Sequence, residues 1–198
     1  VDLSLLEMVS AYSTFANKGL RVSPMIITRI EDKNGTVLKD FVPETQEVLS
    51  EESAYVIVNL LKGVTESGSG IRLRSTYTSA GGAATGFPYL FTNPIAGKTG
   101  TTQNQSDGWF MGMVPNLATG VWTGGEERAV HFKGITKGQG ATMSLPSWAI
   151  FMRKCYADKT LNISKEDFVS PENLSINIDC KGKGGEENNS NSGGDTDF

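Results

Sequence analysis

Three short β-compatible segments joined by tight turns constrain the fold of this chain more than any other feature. They span residues 93–102, 108–114 and 117–123, with a polar turn at 103–107 and the Pro115-Asn116 pair between them. Because links this short force neighbouring strands to run antiparallel, the sequence predicts a three-stranded antiparallel meander.

The first of these segments has the strongest chemical signal. Lys98 places an ammonium group beside Thr99 and Gly100, and a glycine inside a strand marks the close approach of a ligand or another backbone. Thr101 and Thr102 add hydroxyl donors and acceptors. A strand edge of this kind suits an extended peptide with a carboxylate end. Backbone hydrogen bonds would align the peptide, and the cation and hydroxyls would bind its charge.

The meander also resembles a known family. Its sequence runs Lys98-Thr99-Gly100-Thr101-Thr102 and then Asp107-Gly108-Trp109-Phe110-Met111-Gly112, which closely resembles the transpeptidase domain of penicillin-binding proteins. Residues 5–19 look like the helix that precedes this strand in the bifunctional, class A members. Glycine-rich residues 138–141 and the helix after them look like the end of that domain.

The resemblance implies an α+β fold. We expect a partial fold of the penicillin-binding-protein and serine β-lactamase type, in which the antiparallel three-stranded meander packs with helices. Residues 1–160 would be the C-terminal portion of the transpeptidase domain. Residues 161–198 would be a polar extension, disordered after about residue 181 because it has no apolar anchor before Phe198.

Capping signals and apolar spacing predict the remaining elements. One helix begins at the Ser4 capping box and ends near Gly19, a second is capped by Ser50, and a third spans 147–157. A hairpin is predicted from strands 22–31 and 36–42 around Asn34-Gly35, whereas residues 71–94 read as a long loop or short irregular helix and 124–142 as a polar loop. The side chains predicted to pack in the core are Tyr12, Phe15, Ala54, Ile57, Val58, Leu61, Val64, Trp109, Trp122, Trp148, Phe151 and Met152.

The nucleophile motif of the family, Ser-x-x-Lys, is absent from the sequence. The second motif, Ser-x-Asn, matches at Ser175-Ile176-Asn177, but this match follows the Lys98 strand whereas the family places it before, so we interpret it as coincidence. The chain alone should therefore form no acyl-enzyme. The simplest account is a fragment of a longer enzyme.

By resemblance, that enzyme is a peptidoglycan D,D-transpeptidase that cross-links stem peptides through an acyl-serine intermediate and binds β-lactams. The resemblance assigns catalytic roles to Lys98 and Thr101, and substrate binding to Lys98, Thr99, Gly100, Thr101 and Thr102. Strict strand alternation would put Lys98 and Thr101 on opposite faces. Their shared role is thus implied by the resemblance, through an edge position and a flexible Gly100.

Composition limits the classes of binding partner that the sequence predicts. A net charge of −4 does not favour a nucleic-acid surface, and no apolar run approaches the ~20 residues of a membrane span. His131 is the only histidine, so the sequence indicates no metal site and no cofactor. Pairing of Cys155 with Cys180 stays open. The family implies an extracytoplasmic, membrane-anchored parent, a soluble fragment, and cell-wall synthesis proteins as further partners.

Two other readings remain. The chain could be a non-catalytic module that binds a peptide at a strand edge, although an incomplete sheet argues against it. It could also be a relative of D,D-carboxypeptidases or serine β-lactamases. The opening helix and residues 107–110 fit the bifunctional transpeptidases better, and no Glu-x-x-Leu-Asn motif precedes Lys98.

Overall fold

The computed structural model describes residues 3–74, 77–78, 84–85 and 89–178. The described part has the predicted α+β composition, with helices, one three-stranded sheet and three two-stranded sheets, all of them antiparallel. In chain order its elements are α1 (Leu5–Ala16), β1 (Leu20–Val22), β2 (Arg29–Glu31), β3 (Val37–Asp40), β4 (Thr45–Glu47), α2 (Glu51–Glu66), β5 (Tyr77–Thr78), β6 (Ala84–Thr85), β7 (Ala96–Thr101), β8 (Asp107–Val114), β9 (Leu117–Gly124), α3 (Ile135–Gly138), α4 (Gly140–Met143) and α5 (Leu145–Ala157).

The predicted meander is confirmed as the central sheet. Its strand order is β7-β8-β9, with both neighbouring pairs antiparallel. The register pairs Lys98 with Met111 and Trp109 with Trp122. Because side chains alternate across a strand, this register sorts the residues of the first strand onto two faces. Helices cover both faces.

One face of the meander packs on α5. Trp148 is fully buried and lies so close to Gly112 that a Cβ atom there would come within 2.3 Å of its ring. Phe110 meets the same ring edge-on, at 5.1 Å between centroids. The prediction for Phe151 was wrong, because its side chain is 49% exposed. The buried stripe of α5 contains Trp148, Ala149 and Met152, and Phe151 lies beside that stripe.

The other face packs on α1 and α2. Ala96 and Met113 of the sheet form a buried cluster with Val58 of α2, and Tyr12 and Phe15 of α1 pack against it. The capping box of α1 forms as predicted: the Ser4 amide donates to the Glu7 carboxylate at 2.8 Å. The sheet is therefore the middle of three layers.

Two small sheets lie outside these layers. The predicted hairpin is confirmed in β2 and β3, where Asp32 Oδ1 accepts hydrogen bonds from the amides of Asn34 and Thr36, both at 2.8 Å. Placing Val22 in that hairpin was wrong. It belongs to β1, which pairs with β4 instead. The amide of Ser23 donates to the carbonyl of Glu44, so the pairing of β1 with β4 extends past Val22.

Residues 124–142 were predicted as a polar loop and residues 71–94 as a long loop or a short irregular helix, and both regions contain short elements. Residues 124–142 include the short helices α3 and α4, and α5 begins at Leu145, before the predicted start. In 71–94 a 3-10 turn forms at Ile71–Leu73, and β5 pairs with β6. Four-residue helices are marginal by themselves, so local periodicity gave them no signal.

Residues 158–178, here named the C-terminal strap, fold back onto α2. Phe168 is buried against Val58, Asp167 pairs with Lys62 at 2.6 Å, and the Ser175 hydroxyl donates to Glu52 at 2.7 Å. No helix among the described residues is long and apolar enough to cross a membrane. The predicted disorder after residue 181, and Cys180 with its pairing to Cys155, lie outside the described residues.

Candidate active site

A cavity of about 830 Å³ lies between the N-terminal end of α1 and the meander. Leu5, Met8 and Tyr12 line its helical wall, and Met111 lines its floor. One rim is formed by residues 98–102, which are the end of β7 and the first residue after it. All five predicted substrate-binding residues therefore border one space.

Lys98 lies on the α1 face of β7, at the rim of this cavity. Its side chain is exposed, and its ammonium donates to the Thr99 carbonyl of the same strand at 2.7 Å. Because this partner is the backbone of the adjacent residue, the cation can turn toward a ligand without breaking a tertiary contact. The strand also lacks a second strand partner within the described residues, so its outer edge is available for pairing.

Thr99 and Thr101 direct their hydroxyls to the other side of the strand. The Thr101 Oγ1 accepts a hydrogen bond from the amide of Gly140 in α4 at 3.0 Å. The Thr99 and Ser69 hydroxyls lie 2.6 Å apart. Strand alternation thus separates Lys98 from Thr101 as predicted, and a ligand would reach both only along the edge of β7.

A carboxylate anchors the end of β7. Asp107 Oδ2 accepts from the hydroxyl of Thr102 at 2.9 Å and from that of Ser106 at 3.1 Å, and Oδ1 accepts from the Trp122 indole at 3.0 Å. Partial burial opposes ionisation, but these hydrogen bonds, with the nearby charge of Arg128, outweigh it and hold the pKa of Asp107 below its ordinary value. The group is therefore a fixed anion beside the cationic Lys98 strand.

The two tryptophans of the meander border the cavity. Their rings meet edge-on, at 6.5 Å between centroids. The prediction that Trp122 packs between sheet and helix was wrong, because it is 41% exposed. The start of α1 explains this: Leu5 lies over Gly120, and Trp122 lies two residues farther along β9, beyond the helix.

The described residues bring no evident serine nucleophile to Lys98. Of the described residues that line the cavity, one is a serine, Ser4. Its hydroxyl donates to the Glu7 carboxylate in the helix cap at 2.7 Å. Ser175 lies on the C-terminal strap against α2. His131 is exposed, with Nδ1 3.1 Å from the Phe132 carbonyl, and no metal-ligand cluster occurs in the described ranges.

Sequence reasoning missed three residues that contact the hydroxyls of β7 or α4. Ser69 and Arg72 follow α2, in a region that lacked helical or strand periodicity. Gly140 lies in the glycine-rich stretch before α5, which gave a signal for close approach without naming its partner. That partner is the backbone of β7 and β8, which sequence spacing could not identify.

Comparison with known proteins gives a family for this arrangement. Residues 1–125 match the model of the penicillin binding protein transpeptidase domain. The chain is 34% identical over 182 residues to penicillin-binding protein 1A of Aquifex aeolicus, covering 91% of this chain and 22% of that protein. It is 35% identical over 147 residues to penicillin-binding protein 2D of Bacillus subtilis, covering 74% of this chain and 19% of that one. The chain thus spans about a fifth of the length of these relatives.

Solved structures show the same fold. Penicillin-binding protein 1A from Haemophilus influenzae matches with a TM-score of 0.67 and 22% identity, over 85% of this chain and 28% of that one. PonA1 from Mycobacterium tuberculosis matches with a TM-score of 0.57 and 23% identity, over 86% and 42%. The meander packed with helices is thus the fold of this family. The chain belongs to the transpeptidase-domain family of class A penicillin-binding proteins.

Proposed function

We propose that this chain supplies the substrate-binding strand of a peptidoglycan D,D-transpeptidase, and that the serine nucleophile comes from residues outside it. The observation that carries the proposal is the position of β7. Its Lys98–Thr102 segment lies at the rim of the cavity, with one edge free of a strand partner in the described part of the chain. The family match supports an acyl-transferase class for the complete enzyme.

The proposed reaction is acyl transfer in two halves. In the first, a serine hydroxyl attacks the carbonyl carbon between the two D-alanines of a stem peptide. The C–N bond breaks, D-alanine leaves with a proton on its amine, and the acyl group stays on the serine. In the second, an amine of a neighbouring stem peptide attacks this ester, the C–O bond to the serine breaks, and the amine gives up one of its own protons to the serine oxygen as the cross-link forms. A β-lactam would follow the first half and stop there.

Each half places negative charge on the carbonyl oxygen, and this is where β7 would act. We assign the backbone N–H of Thr101 to the oxyanion hole and the Lys98 ammonium to the electrostatics of the cleft and the proton-transfer network. The hydroxyl of Thr101 would bind the carboxylate of substrate or β-lactam. Because its oxygen already accepts from Gly140, its hydrogen is left to donate. Thr99, Gly100 and Thr102 complete the proposed binding strand.

The same proposal specifies the binding partners of the enzyme and its location in the cell. The binding partners are peptidoglycan stem peptides and β-lactams, the parental residues that contain the nucleophile, and cell-wall synthesis proteins. Class A membership leads us to place the parent on the extracytoplasmic side of the membrane, anchored there and joined to a glycosyltransferase domain. The isolated chain is proposed to be soluble and inactive.

A fluorescent penicillin tests this function. Incubated with the probe, the chain should gain no covalent mass in intact-protein mass spectrometry, whereas the longer enzyme that contains it should gain one equivalent. Acylation of the chain alone would mean that its nucleophile has been overlooked. Failure of the longer enzyme to acylate would reject the transpeptidase and favour a peptide-binding module.

A further inference from the structure

Residues 67–74, here named the connector, join α2 to the segment that precedes β7. They contact the candidate site on the face of β7 opposite Lys98. The hydroxyl of Ser69 lies 2.6 Å from that of Thr99. The guanidinium of Arg72 donates to the Thr142 hydroxyl at 2.7 Å and to the Ala141 carbonyl at 3.3 Å. The connector therefore reaches both β7 and the short helix α4.

Helix α4 in turn contacts β7 through its first residue. The Gly140 amide donates to Thr101 Oγ1 at 3.0 Å. A Cβ atom at Gly140 would come within 2.2 Å of the Gly100 carbonyl oxygen and 2.5 Å of the Trp109 carbonyl oxygen. Since real Cβ atoms do not approach oxygen so closely, only glycine lets α4 lie against this strand.

A four-residue helix does not hold its own position, because forming the first turn costs more than its few hydrogen bonds return. The charge-assisted hydrogen bonds that Arg72 donates to α4 hold the helix in position. The second guanidinium of the connector, on Arg74, bonds Thr65 of α2 at 3.1 Å and the carbonyls of Phe91 and Asn93 just before β7. The connector is thus fixed independently of α4.

We propose that Arg72 is a positioning residue: acting through α4 and Gly140, it sets the orientation of the Thr101 hydroxyl, while Ser69 sets that of Thr99. The inference rests on the proposed function for its catalytic consequence only. With Gly140 donating to its oxygen, the Thr101 side chain is held at χ1 and its hydroxyl hydrogen is left to donate. Loss of the Arg72 contacts would free α4 and leave that hydroxyl to rotate.

The chain as it stands tests the geometry. In Arg72→Met, amide hydrogen exchange at Gly140 measured by NMR should become about tenfold faster or more, as expected for losing about one hydrogen bond's worth of stability. Thr101→Val removes the acceptor and should accelerate the same amide. Arg29→Met, on the separate β2–β3 sheet, is the matched control and should leave Gly140 unchanged. Unchanged exchange in Arg72→Met would overturn the proposal.

The longer enzyme tests the consequence. Arg72→Met should lower the rate constant for penicillin acylation by about tenfold with the nucleophile intact, and Arg72→Lys, which keeps the charge but not the planar fork, should recover part of it. Parental acylation in Arg72→Met, despite faster exchange at Gly140, would reduce Arg72 to a packing role and overturn the inference. If the parental enzyme itself did not acylate, the proposed function would fail, while the exchange data would still decide whether Arg72 orients Thr101.

Discussion

At the scale of single residues, Lys98 carries the sharpest prediction. In the longer enzyme, Lys98→Ala should reduce penicillin acylation by about two orders of magnitude or more, comparable to removing one well-placed electrostatic contact. Lys98→Arg keeps the charge but changes its shape and reach, so we expect partial recovery. Because Lys98 is exposed and donates only to the carbonyl of the adjacent Thr99 in the described part of the chain, the melting temperature should change little. The measurement is the rate of labelling by a fluorescent penicillin.

Lys33→Ala is the matched control for that substitution, since Lys33 lies in the exposed turn of the β2–β3 hairpin. It should label at the parental rate. Parental labelling by Lys98→Ala together with a large loss of stability would mean that Lys98 has a structural role and that the site is misassigned.

Asp107 predicts a pH dependence. Its pKa is lowered in the folded chain, so its hydrogen bonds stabilise the fold at pH above the ordinary carboxyl value of about 3.9 and are lost as pH falls through the folded pKa. Asp107→Asn should lower the free energy of unfolding by about 1–2 kcal/mol at pH 7, since charged hydrogen bonds are replaced. The difference between parent and variant should shrink below pH about 4.

Urea unfolding at several pH values measures this difference. Asp40→Asn, on the exposed surface of β3, is the control and should change the free energy of unfolding at pH 7 by no more than about 0.5 kcal/mol. A parent-to-Asp107→Asn difference that stayed constant down to the lowest pH would show that the carboxylate does not carry the stabilisation.

At the scale of elements, the C-terminal strap contributes one buried side chain to the core. Phe168 is 8% exposed and packs against Val58, whereas its neighbour Val169 is 69% exposed. Phe168→Ala should therefore destabilise the chain by about 3 kcal/mol, as for a large apolar side chain removed from a core. Val169→Ala should stay within about 0.5 kcal/mol. Denaturant unfolding compares the two, and equal effects would mean that the strap does not pack on α2.

Elements with their own periodicity or turn chemistry were predictable. The meander followed from short links, the hairpin from Asn34-Gly35, and α1 from its Ser4 cap. The helix α4 was not, because four residues have no periodicity and its position depends on contacts with Arg72 and Thr101. Tertiary contacts of this kind leave no local pattern in the chain.

At the scale of the whole molecule, the same distinction holds for the site. The predicted site residues Lys98, Thr99 and Thr101 lie on one strand, β7, and strand alternation correctly separated Lys98 from Thr101. The sequence did not reveal that Trp122 would lie beyond the N-terminal end of α1 and stay exposed, since that depends on where the helix crosses the sheet. Sequence thus predicts which residues share a strand, and packing decides what covers them.

The two faces of the meander should respond differently to the rest of the enzyme. On one face Trp148 and Phe110 are fully buried between α5 and the sheet, so this contact is already closed in the isolated chain. On the other, Leu5 and Leu6 of α1 are 37% and 56% exposed, and the cavity separates the start of α1 from β8. Under the proposed function, the nucleophile-bearing part of the parent occupies this side.

Amide hydrogen exchange measured by mass spectrometry tests this asymmetry with an internal control. Peptides from α1 should exchange more slowly in the longer enzyme than in the isolated chain, because covering the apolar surface of a helix raises the cost of its local opening. Peptides from α5 are the control and should exchange at similar rates in both, since Trp148 is already fully buried against the sheet in the isolated chain. Equal exchange of α1 in the two proteins would mean that the cavity stays uncovered in the enzyme, and the nucleophile would then have to approach β7 from another side.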